Sequence, residues 1–261
     1  MFRLLLGMLL ALSVVPASAA VIGEEVTYRA DGTVLKGYLA YDDAMAGKRP
    51  AVLVVHDWWG HGGFVRDRAR ALARMGYTAL AVDMYGDGKQ TDDRGEAEKL
   101  SGAIAGNLPV MKARFDAALT VLRRHRTVDP GRIAAIGYSF GGKVVLDMAR
   151  QGAALAGVAS YWGLLGTQHP AGKGKVKARV IVFNGQDDPM ATPAQVSQFR
   201  DEMSAARVDY KLVDYPGVKH GFTLPDADAR GKKHNLPLAY DSRADRNSWR
   251  ELEVFLRRVF K

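Results

Sequence analysis

The sequence predicts one α/β domain, a mainly parallel central sheet with helices on both faces. Compact apolar runs suited to buried strands alternate with amphipathic helical segments along the chain. No linker, repeat or low-complexity stretch interrupts that alternation between residues 21 and 261. Hydrophobic residues make up 48% and charged residues 25%, the mix of a chain that buries a large core.

The elements follow in order. Residues 26–28 and 34–41 read as two strands joined at Asp31-Gly32, a hairpin signal. AVLVVH at 51–56 is a buried strand, and the spacing of Val65, Ala69, Leu72 and Ala73 predicts a helix over 64–75 that Gly76 ends. Residues 77–82 form the next strand, and helices follow at 94–105 and at 110–125 after Pro109. Then come a strand at 132–136, a helix at 141–151, and strands at 155–161 and 179–183. A helix at 193–207, a strand at 210–215 and a closing helix at 236–258 complete the chain. Polar, glycine-containing residues 86–107 are expected to form a rim or lid.

Residues 1–20 stand apart. Arg3 gives a positive end, 4–15 an apolar run, and Ala17-Ser18-Ala19 a small-residue cleavage site, so a secretory signal peptide is expected to be cut after Ala19 or Ala20. The apolar run is too short to span a bilayer comfortably. The expected mature chain, 21–261, is then a single domain, periplasmic or secreted, without stable membrane insertion.

Composition narrows the chemistry. With no cysteine there is no disulfide framework, thiolate metal site or cysteine nucleophile. The net charge of +9 gathers at Arg123, Arg124 and Arg126, at Lys173, Lys175, Lys177 and Arg179, and at Arg230, Lys232 and Lys233. No nucleic-acid motif accompanies these clusters, so they read as solvated faces. His61 lies four residues after Asp57 but has no third ligand at metal spacing; no metal and no cofactor are expected.

In open parallel sheets, ligands bind beyond the carboxyl ends of the strands. Here those ends carry His56-Asp57, Asp83-Met84, 137–139, Tyr161-Trp162, 184–188 and 216–220. Gly137-Tyr138-Ser139-Phe140-Gly141 follows a strand and opens a helix, the sharp turn that presents a serine nucleophile. Serine needs a histidine base, and the base an orienting carboxylate later in the chain. His220, just beyond the last strand, fits the base; His169 and His234 read as surface histidines. The acid follows RVIVF, where Asp188 is favoured and Asp187 is the alternative. Trp58, Trp59, Tyr85, Trp162 and Phe222 sit at strand ends and are candidates to line an aromatic pocket, with Tyr138 more suited to packing. His56 reads as a satisfied core histidine.

Together, VVHDWWGHGGFVRDRARALARMGYTALAVDMYGDG, IAAIGYSFGGKVVLDMA, NGQDDPM, YPGVKHGF and AYDSRADRNSWRELEVFL resemble the dienelactone hydrolase (carboxymethylenebutenolidase) family of α/β-hydrolases, in the family's order. The resemblance implies the α/β-hydrolase fold and a triad of Ser139, Asp188 and His220, with the backbone N–H groups of Trp58 and Phe140 as oxyanion donors. Three departures stand out. Ser139 replaces the family's usual cysteine, and Asp57 stands for an acidic residue that is usually glutamate. Asp87 and Leu224 fall where the family places substrate-clamping arginines. The expected activity is cleavage of small carboxylic esters or lactones, with Asp57 near the site or capping its loop. Peptidase, amide or thioester hydrolysis, or a binding scaffold without catalysis, are the alternatives.

Overall fold

The computed structural model describes residues 21–261; the expected leader, 1–20, lies outside the described residues. Eight strands form one sheet in the order β1-β2-β4-β3-β5-β6-β7-β8. These are β1 (Val21–Ala30), β2 (Thr33–Asp42), β3 (Arg49–Val55), β4 (Thr78–Val82), β5 (Val128–Tyr138), β6 (Gly157–Tyr161), β7 (Arg179–Gly185) and β8 (Tyr210–Tyr215). β1 and β2 form the expected antiparallel hairpin, with Asp31 and Gly32 both at positive φ in its turn. β2 also runs antiparallel to β4, and every later pairing is parallel.

Side-chain alternation in the central strands divides the core into two layers. Leu53, Val55, Leu80, Val82, Ile133 and Val182 face one way, toward Phe115 and Leu119 of α3 (Leu108–Arg124), Val144 and Met148 of α4 (Phe140–Arg150) and Phe199 of α5 (Pro193–Ala205). Val52, Val54, Ala79, Ala81 and Ile136 face the other way, toward Val65 and Leu72 of α1 (Gly63–Arg74) and Leu252 and Leu256 of α7 (Ser242–Val259). Both faces of the parallel strands are therefore apolar, which is why they read as continuous hydrophobic runs. Each fully buried Val or Leu contributes about 1.5–3 kcal/mol relative to exposure.

Several boundaries differ from the sequence expectation, and the helical ones have clear causes. α3 begins at Leu108 and takes Pro109 into its first turn, where a missing N–H costs nothing, while the Asn107 side chain caps the Val110 N–H. The residues before the last helix contain α6 (Ala227–His234), which ends at Asn235 in the left-handed region. α7 then starts at Ser242 rather than 236, capped by Asp241 Oδ1 on the Arg243 and Ala244 N–H groups. Leu238, expected in that helix, instead bridges to His220. The polar sequence of α6 buries only Ala227 and Gly231, so it carries no helical hydrophobic stripe to read. The expected rim at 86–107 contains an ordered helix, α2 (Arg94–Ala105), capped by Asp93 on the Glu96 N–H.

Candidate active site

At the end of β5 the chain turns sharply into α4, and Ser139 at the turn adopts φ 51° and ψ −112°. Such a conformation is sparsely populated for a residue with a side chain and persists only where its surroundings enforce it. Packing explains the flanking glycines. A Cβ on Gly137 would lie 2.1 Å from the Gly141 carbonyl oxygen, and one on Gly141 would lie 2.4 Å from that of Val55. The turn is thus wedged between α4 and β3, and the Ser139 N–H is held by the Tyr161 carbonyl at 3.0 Å.

The loop after β8 brings His220 to this turn. Ser139 Oγ lies 2.8 Å from His220 Nε2, and His220 Nδ1 lies 2.7 Å from Asp188 Oδ2. Asp188 comes from the loop after β7, and its other oxygen accepts the Met190 N–H at 2.8 Å. All three residues are buried, whereas Asp187 points outward. Asp188, rather than Asp187, is the carboxylate the fold delivers to His220. The Trp162 and His220 rings pack nearly perpendicular, with their centroids 4.9 Å apart. Trp162 is itself at φ 39°, with its indole N–H donating to Thr223 Oγ1 at 3.0 Å. Neither the Trp58 nor the Phe140 backbone N–H has a protein acceptor among the described residues, leaving both donors free beside Ser139.

The strand end after β3 is braced from behind. His56 is fully buried, donates from Nδ1 to the Asp57 carbonyl at 2.6 Å and accepts the Met84 N–H on Nε2 at 3.2 Å. Burial lowers its pKa to about 4, so it stays neutral, as expected of a satisfied core histidine. Asp57 accepts the Trp59 N–H at 2.8 Å and also borders the cavity. Its pKa is raised to about 6, mainly by burial, against the opposing pull of the Trp59 N–H and the charge of Arg230.

A cavity of about 310 Å³ opens over Ser139 and His220. Trp58, Trp59, Trp162 and Leu224 contribute to its wall, as does Asp57. Two aromatic candidates are not on this wall. Tyr85 packs behind it on His56 and Phe140 and donates its hydroxyl to the Trp58 carbonyl at 3.1 Å. Phe222 is fully buried against Tyr215. Strand-end position alone does not say which way a ring turns, and both turn into the core. Asp87 also lies away from the cavity, exposed and paired with Lys36. His169 is exposed, but His234 is not a free surface histidine: its ring packs on Trp59 at 5.0 Å, near Asp92.

Further wall residues were not named individually in the sequence, although those of α2 fall within the segment 86–107 expected to form a rim. Glu98, Ser101, Gly102 and Ala105 come from α2, Met190 from the Asp188 loop and Leu238 from the segment paired with His220. The polar spacing of α2 was the available hint, since a helix at a sheet's carboxyl edge must face something. No group of His, Cys, Asp and Glu suited to a metal ion occurs among the described residues.

The sheet order, the strand–serine–helix turn and the loops converging on it define an α/β-hydrolase. Residues 35–260 match the dienelactone hydrolase family, and the chain belongs to it, a family of hydrolases acting on lactone and ester bonds. Among solved structures it is similar to a dienelactone hydrolase-like promiscuous phosphotriesterase from metagenomic libraries. The identity is 30% and the TM-score 0.86, with 94% of this chain and 100% of that one covered. It is also similar to m3DLH, at 33% identity and a TM-score of 0.87, covering 93% of this chain and 100% of the other. A Bradyrhizobium protein described as a probable 2-oxo-3-(5-oxofuran-2-ylidene)propanoate lactonase is 28% identical, over 87% of this chain and 91% of its own.

Proposed function

We propose that the chain is an exported serine hydrolase that cleaves small carboxylic esters or lactones through an acyl-enzyme on Ser139. The observation that carries this reading is the continuous line Ser139–His220–Asp188, at 2.8 and 2.7 Å, opening onto a cavity. A hydroxyl is not ionised at neutral pH, so Ser139 depends on His220 Nε2 to take its proton during attack on the carbonyl carbon. Asp188 holds the ring with Nδ1–H toward the carboxylate and stabilises the imidazolium that forms. The developing oxyanion is received by the Trp58 and Phe140 N–H groups, which lack other acceptors. His220 then returns the proton to the leaving alkoxide, or to the ring-opened oxygen of a lactone. Water, activated by the same nitrogen, releases the acid and regenerates Ser139.

The cavity volume of about 310 Å³ is at the small end of the roughly 300–1,000 Å³ usual for small-molecule pockets and favours a small substrate. Export rests on the leader pattern of residues 1–20, and a single mature domain on the uninterrupted α/β alternation from 21 to 261.

A panel of nitrophenyl esters of increasing acyl length, with lactones, amides and thioesters, tests the reading. Ester or lactone turnover is expected, with kcat/KM falling on the order of 10⁴-fold or more in Ser139→Ala. Turnover confined to amides or thioesters would move the chemistry to one of the alternatives. Ester activity equal to that of Ser139→Ala would contradict the proposal.

A further inference from the structure

The charges bordering the cavity are all of one sign. Asp57 lies at its inner wall and Glu98 of α2 at its mouth, and no Lys or Arg lines it among the described residues. Leu224 offers only an aliphatic surface there. Two arginines touch residues of its wall, Arg94 on Glu98 and Arg230 over Trp59. Arg94 pairs with Glu98 at 3.0 Å, but both side chains are about half exposed, so water screens that pair. Arg230 lies in the adjoining lobe beyond Trp59, bound to Asp226 at 2.7 Å and sharing the lobe with Asp57 and Asp92. Three indole rings, Trp58, Trp59 and Trp162, border it, and the Arg230 guanidinium lies over the Trp59 ring at 5.0 Å from its centroid. Aromatic faces attract cations and offer nothing to a carboxylate.

We propose that this cavity selects by charge, taking uncharged or cationic small esters and excluding carboxylate-bearing ones, with Glu98 as a specificity-determining side chain. The inference rests on the ester-hydrolase reading for its substrate, but its content is the sign of the charge the cavity accepts. A carboxylate entering would lose hydration without gaining a cationic partner and would face two like charges. A quaternary ammonium would meet the carboxylates of Asp57 and Glu98 instead.

Three 4-nitrophenyl esters of matched length provide the test: those of 5,5-dimethylhexanoic acid, of its isostere 4-(trimethylammonio)butanoic acid, and of glutaric acid. The expected order of kcat/KM is cationic at or above neutral, and glutarate about tenfold or more below neutral. Glu98→Gln is expected to raise the glutarate-to-neutral ratio roughly three- to tenfold, the scale of one partly screened charge at close range. Arg94→Gln should lower the ratio, and added salt should narrow it. Equal rates for glutarate and neutral esters, or a ratio unmoved by Glu98→Gln, would overturn the proposal. Binding of the three corresponding N-methyl amides to Ser139→Ala protein separates the two readings. The same order of binding with all three esters unhydrolysed would contradict the ester chemistry and support the charge selection. Carboxylate binding equal to or tighter than neutral would contradict the selection, whatever the chemistry.

Discussion

Tyr85 donates its hydroxyl to the Trp58 carbonyl at 3.1 Å, tying the chain after β4 to the loop after β3. Its ring lies against His56 and Phe140, so one buried side chain touches both segments that carry the proposed oxyanion donors. Tyr85→Phe keeps the ring and deletes this bond. The expected stability loss is about 1 kcal/mol, the usual net worth of one hydrogen bond. If the Trp58 peptide receives the oxyanion, kcat falls several-fold while KM holds, because a misaligned donor weakens the transition state more than the ground state. Steady-state kinetics beside thermal melts read both effects.

Asp188 and Asp187 adjoin in sequence but face opposite ways, one buried on His220 and the other exposed. Asp188→Asn is expected to lower kcat by about 10²–10⁴-fold, since an amide there fails to hold the ring in its working tautomer. Asp187→Asn should leave kcat within about twofold. A reversal of the two effects, read from ester turnover, would reassign the acid.

Ser139 stands at φ 51° and ψ −112°, where a side chain is strained and glycine is not. Ser139→Gly therefore removes the proposed nucleophile while relieving the turn. The melting temperature is expected to rise by up to about 3 °C as activity disappears, the trade expected at a strained functional site. Differential scanning calorimetry of the two proteins checks it.

Burial keeps His56 neutral, with its pKa lowered to about 4, and lowers that of His61 as well. Below pH about 6.5 the unfolded chain takes up protons on these rings that the folded chain refuses, so stability falls as pH drops from about 6.5 toward 4. Asp57 acts in the opposite sense. Its pKa, raised to about 6, lets the folded chain bind a proton that the unfolded chain lacks between about pH 4 and 6. Denaturant titrations at pH 7, 6 and 5 should show stability declining, and His56→Asn should flatten the slope by up to about 1.4 kcal/mol per pH unit.

The fold was legible because its central strands are apolar on both faces and its longer helices carry stripes of buried residues, as at Val65, Ala69, Leu72 and Ala73. The order of Ser139, Asp188 and His220 was legible because each follows a strand at the same edge of the sheet. The directions of Tyr85 and Phe222 were not, since both occupy strand ends yet pack inward for tertiary reasons. α6 was missed because tertiary contacts hold its polar sequence, and Glu98 because a surface carboxylate on a helix looks alike whether or not a cavity lies beneath it.

The central claim is that Ser139 is the nucleophile. A fluorophosphonate probe followed by peptide mass analysis tests it most directly. The account predicts one covalent adduct per chain, on the peptide carrying Ser139, with loss of ester turnover in step and no adduct in Ser139→Ala. No adduct on the wild-type protein, or equal labelling of Ser139→Ala, would contradict it.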